Sequence, residues 1–179
     1  MFKTALVYGS ISGAVVLGVI LVGLKFGDQH GSGVFSSEWF GYLVMLVGLS
    51  TIFLAIRDYR NKTLGGVIKF LPAFGLGLMI AAFAGVAYVI SWEIYLSATH
   101  YVFMDQYVAS MIEHARASGL SGAALDAKVA ELNAMKASYA NPLFRLPMTF
   151  VEIFPVGVFI ALISAAVLRN SKVLPARAS

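Results

Sequence analysis

Two glutamates stand inside otherwise apolar stretches of this chain: Glu93 in Trp92-Glu93-Ile94-Tyr95, and Glu152 in Phe150-Val151-Glu152-Ile153-Phe154-Pro155. A charged side chain at the centre of a membrane-spanning helix costs about 2.5–3.5 kcal/mol on insertion scales, so one that persists is held by a partner, a cavity or a task. Two acids meeting in one wet pocket would suit binding or passage of a cation, a proton or a polar head group, and also acid and base chemistry on a lipid. Arg145 precedes Glu152 by seven residues and is expected near the outer interface, either as counter-ion to Glu152 or as a hold on lipid phosphate. His100 follows Glu93 by seven residues and would align with it if one helix continued through both. Tyr95 is a hydrogen-bonding neighbour, and Asp105 completes the group of candidate binding residues Glu93, Glu152, His100, Arg145, Asp105 and Tyr95. Pro155 cannot donate a backbone hydrogen bond to the carbonyl of Val151, which should kink the helix beside Glu152.

Stronger chemical signatures do not appear. Glu93, His100, Asp105, His114 and Glu152 have oxygen and nitrogen donors, but their spacing matches no motif such as His-Glu-x-x-His, so neither a metal nor a cofactor is expected. There is no Gly-x-Ser-x-Gly, no P-loop and no dinucleotide fingerprint. With no cysteine in the chain, disulfides, thiolate metal sites and a cysteine nucleophile are excluded. No residue is assigned a catalytic role.

The elements that must position the acids follow from composition. Of 179 residues, 59% are hydrophobic and 12% charged, against about 25% charged in soluble domains. About 20 helical residues cross a bilayer core. Four stretches qualify: Ala5 to Leu24, Phe40 to Ile56, Phe70 to Ile90 running on toward Leu96, and Leu146 to Leu168. The expected fold is all-α and polytopic: one four-helix membrane domain over residues 1–179. The first stretch reads as a retained helix rather than a signal peptide, because its apolar run exceeds the usual ~7–15 residues and no small-x-small cleavage site follows.

Charge sets the expected orientation. Lys3 precedes helix one, Arg57, Arg60, Lys62 and Lys69 lie between helices two and three, and Arg169, Lys172 and Arg177 follow helix four. By the positive-inside rule these regions, and so both termini, are expected to be cytoplasmic. The net charge of +4 therefore reads as topology and contact with anionic lipid rather than as affinity for nucleic acid. Trp39, Phe40 and Tyr42 should anchor helix two at the outer interface, after a flexible connector from Lys25 to Glu38. In helix one, Gly9-Ser10-Ile11-Ser12-Gly13 allows close helix approach, either within one subunit or at a homodimer seam.

Between Val86 and Ser118 there is neither Gly nor Pro, so helix three is free to continue outward, with Phe103, Tyr107, Met111 and Ala115 on one face and a stop at Gly119. Ser121 can cap a second outer helix whose Leu125, Val129, Leu132, Met135 and Tyr139 share a side, ending near Asn141-Pro142. Together they predict an antiparallel periplasmic helical hairpin over residues 100–145, with an amphipathic pair lying on the membrane as the alternative. Glu93 should share a bundle-facing side of helix three with Gly75, Ala82 and Val86.

The stretches Ile56-Arg57-Asp58-Tyr59-Arg60, Leu64-Gly65-Gly66, Trp92-Glu93-Ile94-Tyr95, Met104-Asp105-Gln106-Tyr107, Asn141-Pro142-Leu143-Phe144-Arg145 and Thr149 to Gly157 carry a family likeness. From about Leu54 to Arg169 the chain resembles an uncharacterised bacterial membrane family, domain of unknown function 4199, while the first helix is generic. The resemblance implies four membrane helices with an outer helical insertion and brings no activity with it.

These features point first to a non-enzymatic inner-membrane protein with a periplasm-facing acidic site, binding or translocating a small solute, ion or lipid head group. Four helices are few for a complete transport path, so self-association or service as an accessory subunit of a larger membrane complex is expected. The alternatives are a lipid-modifying enzyme using Glu93 and Glu152 as acid and base, and a structural assembly factor acting through the hairpin.

Overall fold

The computed structural model describes residues 1–26 and 38–175, and the side chains among them other than those at 20, 22–26 and 38–41. Residues 27–37 of the expected outer connector, the side chains of Trp39 and Phe40, and Arg177 lie outside the described residues. Among the described residues the chain is all-helical, with seven helices: α1 (Phe2–Phe26), α2 (Glu38–Leu49), α3 (Thr51–Thr63), α4 (Phe70–Ala98), α5 (Phe103–Ala117), α6 (Gly122–Ala140) and α7 (Pro142–Leu168). Four helical stretches are long and apolar enough to cross a membrane: Phe2–Val19, Tyr42–Thr63, Phe70–Ala98 and Pro142–Leu168. They coincide with the four expected from sequence, because length and apolarity alone set that reading.

The second span is two helices rather than one. At the break the Ser50 hydroxyl donates to the Val47 carbonyl at 2.6 Å and that of Thr51 to the Gly48 carbonyl at 2.9 Å. Such hydroxyls compete with backbone N–H groups for helical carbonyls. Ser12 of α1 meets Thr51 through the two hydroxyls.

The chain folds as two compact units. The first comprises Met1–Ser91 and Phe150–Ser179; the second is Trp92–Thr149. The chain enters the second unit along the last turns of α4 and leaves it along the first turns of α7.

In the first unit, small residues determine how closely the spans approach. A Cβ on Gly13 would lie 2.6 Å from the Ala84 carbonyl oxygen, and one on Gly9 2.5 Å from the Phe83 Cβ, so the glycine pair of α1 is filled by α4 of the same chain. That packing, rather than a homodimer seam, is its use. On another side of α4, a Cβ on Gly77 would lie 2.6 Å from the Ala161 Cβ, and one on Gly157 of α7 2.7 Å from the Ala81 Cβ. Gly77-x-x-x-Ala81-x-x-x-Gly85 is thus the ridge that receives α7. The side bearing Gly75, Ala82 and Val86, expected to face the bundle, does not do so: Val86 is 49% exposed and Gly75 has open space where a side chain would go.

Gly77→Val should push α4 and α7 apart and lower stability by about 2 kcal/mol, the usual effect of overpacking. The thermal midpoint of the purified protein in detergent reads this out, and Ala161→Gly should restore part of the loss. An unchanged midpoint would refute the close approach.

At the end of this unit where α3 and α7 finish, Arg60 is fully buried, with 0% exposure. Its Nη1 donates to the carbonyls of Leu168 and Val173 at 3.1 and 2.9 Å, its Nη2 donates to that of Leu174, and its Nε donates to Asn61 Oδ1 at 2.8 Å. Read from sequence only as topological charge, Arg60 is a clamp on the end of α7.

In the second unit, α5 and α6 pack as a hairpin. Asp105, near the start of α5, pairs with Lys136, near the end of α6, which makes the two helices antiparallel. Leu132 and Val108 are the buried residues between them. Tyr107, expected on the buried face of α5, is exposed, and Val108 takes that role. Gly119 adopts φ +89° and ends α5 with the Leu120 N–H donating to the Ala115 carbonyl at 3.1 Å, as its residue type predicts. Ser121 stands at the N-cap of α6, yet its hydroxyl makes no cap bond.

Candidate functional site

Helix α4 does not run on past the expected surface. It ends at Ala98, and His100 and Tyr101 take left-handed backbone angles, φ 53° and 59°. Local hydrogen bonds make the turn. The Thr99 hydroxyl donates to the carbonyls of Tyr95 and Leu96 at 2.9 and 3.2 Å, and the Tyr101 N–H reaches back to the Leu96 carbonyl at 2.7 Å. Left-handed angles in non-glycine residues cost about 1–2 kcal/mol each. Part of the compensation is visible in the Tyr101 ring, which lies under the Arg145 guanidinium at 5.2 Å.

Arg145 is the centre of the site. Asn141 starts α7 by accepting the Leu143 N–H on its side-chain oxygen at 3.0 Å, and Pro142 occupies the first turn, where its missing N–H is harmless. One turn on, Arg145 turns its side chain toward the second unit's interior. Its Nε and Nη2 donate to the two oxygens of Glu93 at 2.6 and 2.8 Å, a two-pronged pair. Nη1 donates to the carbonyls of Tyr139 and Ala140 at 3.0 and 3.4 Å, the last two residues of α6. The Arg145 side chain is 5% exposed and that of Glu93 26%. One guanidinium therefore ties the end of α4, the left-handed turn, the end of α6 and the start of α7.

Aromatic rings enclose the knot. Trp92 donates its indole N–H to the Tyr139 hydroxyl at 2.8 Å, packs on Tyr95 with ring centres 5.2 Å apart, and meets Phe103 edge-on at 5.0 Å. The Tyr139 ring stands 5.8 Å from the guanidinium carbon on another side.

Of the six residues singled out by sequence, Glu93 and Arg145 pair directly, and Tyr95 contributes its ring and its backbone carbonyl beside them. His100 is exposed in the left-handed turn, not aligned on a continuing helix. Asp105 belongs to the surface ion pair with Lys136. Glu152 lies in the first unit on an exposed side of α7, and Arg145 serves Glu93 rather than Glu152. Trp92, Tyr101 and Tyr139 emerge as the shell of the pair; Trp92 stands next to Glu93 in sequence, and Tyr139 was legible only as part of an apolar face. Among the described residues, no group of three or more His, Asp or Glu side chains is placed to hold a metal.

The helices and the knot define a helical protein with four spans and a separately packed helical insertion. The chain belongs to the family described as protein of unknown function (DUF4199), whose sequence profile matches residues 4–170. The match takes in the first helix as well, beyond the stretch from Leu54 on which the likeness rested. No curated protein and no solved structure matches the chain.

Proposed function

We infer that this chain is a non-enzymatic accessory subunit of a membrane complex, in which four spans anchor a hairpin that works outside the bilayer. One observation carries the reading. The carboxylate of Glu93 and the guanidinium of Arg145, which a cation site or a head-group enzyme would keep open to its ligand, are joined to each other and to the backbone of α6. A partly buried two-pronged pair of this kind suits holding structure in register. The distribution of Lys and Arg supports an orientation with cytoplasmic termini and a periplasmic hairpin, in a bacterial inner membrane. The short aqueous helices suit contact with a partner protein, and Lys128, Glu131, Asp105 and Lys136 keep their surface charged.

The test separates this reading from ligand binding. Purified protein in detergent is heated with and without magnesium or phosphatidylglycerol, as wild type and as Glu93→Gln. The accessory reading expects neither probe to shift the wild-type midpoint through the knot. A stabilisation of several degrees that disappears in Glu93→Gln would return the site to ligand binding. In cells, the exchange Glu93→Arg with Arg145→Glu should keep more function than either single change, since only a structural pair tolerates inversion.

A further inference from the structure

Glu152 takes no part in the pair of Arg145 and Glu93. It lies ten residues after Pro142 and sixteen before Leu168 in α7. With 1.5 Å of rise per residue and a hydrocarbon core of about 30 Å, a centred helix of this length puts it about 10 Å inside the apolar layer. Its side is exposed, and among the described residues no hydrogen bond or ion pair reaches it. Facing lipid alone, such a group is costly in either protonation state, because hydrocarbon offers no hydrogen-bond partner.

The surroundings of Glu152 form a seam. Pro155, Phe159 and Ile163 are all exposed, and at 100° per residue they fall within about 60° of Glu152 on the helix surface. Pro155 has no N–H to offer the Val151 carbonyl, so the residue before Glu152 lacks its usual helical donor. We propose that this stripe of α7 is the contact between two copies of the chain, with Glu152 hydrogen-bonded across a two-fold axis to Glu152 of the second copy. Depth selects a second copy over other partners. Membrane insertion orients every copy alike, so a two-fold axis along the membrane normal brings like residues together at one depth. Any other helix would need a polar group placed at that level independently. A carboxyl group that holds its proton both donates and accepts, so two of them, together with the Val151 carbonyls, satisfy one another. The proposal is independent of the hairpin's role.

The chain has no cysteine, which makes disulfide trapping in native membranes clean. Phe159→Cys and Ile163→Cys should each yield, on oxidation, a species of twice the 19.2 kDa monomer, whereas Val47→Cys, likewise exposed but on α2, should not. Adding Glu152→Leu should cut the trapped fraction about tenfold, and Glu152→Gln, which keeps both donor and acceptor, should largely preserve it. Leucine suits a lipid-facing site, and an unchanged thermal midpoint of Glu152→Leu in detergent shows that the loss is one of association. If that variant unfolds, labelling of wild-type Glu152 by a lipid-soluble carbodiimide decides: several-fold slower in membranes than in dilute micelles with a dimer, equal without one. Equal trapping at Val47, indifference to Glu152→Leu, or a product heavier or lighter than two copies would overturn the proposal.

Discussion

Replacing Arg145 by methionine should lower the stability of the Trp92–Thr149 unit by about 3 kcal/mol, the usual cost of removing one partner from a buried ion pair. Methionine fills much of the same volume, so the loss comes from polar groups rather than from a cavity. Glu93 keeps a carboxylate with no counter-ion, the carbonyls of Tyr139 and Ala140 lose their donor, and the Tyr101 ring loses the cation that helps hold its left-handed backbone. Arg145→Lys should recover little, because an ammonium is a point charge that cannot engage both Glu93 oxygens and the α6 carbonyls together. The double variant Glu93→Gln with Arg145→Met should be more stable than Arg145→Met alone, since the stranded charge is gone. Thermal unfolding in detergent, with limited proteolysis of the turn between α5 and α6, measures all three. If lysine performs as well as arginine, the two-pronged geometry is not what holds the unit.

Arg145 pairs with Glu93 and not with Glu152 for a physical reason. Seven residues separate it from Glu152, a spacing that puts both on one side of α7. Helical side chains lean toward the helix N-terminus, however, so Arg145 reaches away from Glu152 and toward the ends of α4 and α6. The four spans were legible because twenty apolar residues in a row leave few other structures open. The hairpin was legible through Gly119 and Asn141-Pro142, whose backbone preferences act locally. The end of α4 was not, because nothing in the types of His100 and Tyr101 demands left-handed angles; hydrogen bonds from Thr99 and Tyr101 and the distant Arg145 impose them. The ridge Gly77-Ala81-Gly85 is readable in principle from its four-residue spacing, but a register set by Glu93 places Gly75 and Val86 inward instead.

Arg60→Met should lower stability by about 2 kcal/mol: a stranded buried acceptor costs about 1–3 kcal/mol, and of the acceptors only the Leu168 carbonyl lies in a fully buried bond, while water can reach those of Val173 and Leu174. The last carbonyls of a helix have no donor within the helix, and α7 leaves Leu168 in this position. Arg60 supplies the donor from α3, and supplies others to Val173 and Leu174 of the segment that follows, so one side chain folds that segment back over the helix end. Its positive charge also suits the negative end of the α7 dipole. The backbone of the same residue organises the connection between α3 and α4: its carbonyl accepts the N–H groups of Leu64 and Gly66, with Gly65 and Gly66 at φ 66° and 97°. Removing the side chain should therefore release the segment after Leu168 while leaving the Gly65-Gly66 turn in place. Hydrogen exchange distinguishes the two: amides from 169 to 174 should exchange at least tenfold faster, and the amide of Gly66 should not. Arg60→Lys should fall between, since an ammonium donates three bonds from one point and cannot span Leu168, Val173 and Leu174 at once. Faster exchange at Gly66 as well would mean that Arg60 holds the whole end of the bundle through packing, and unchanged exchange at both would remove the clamp.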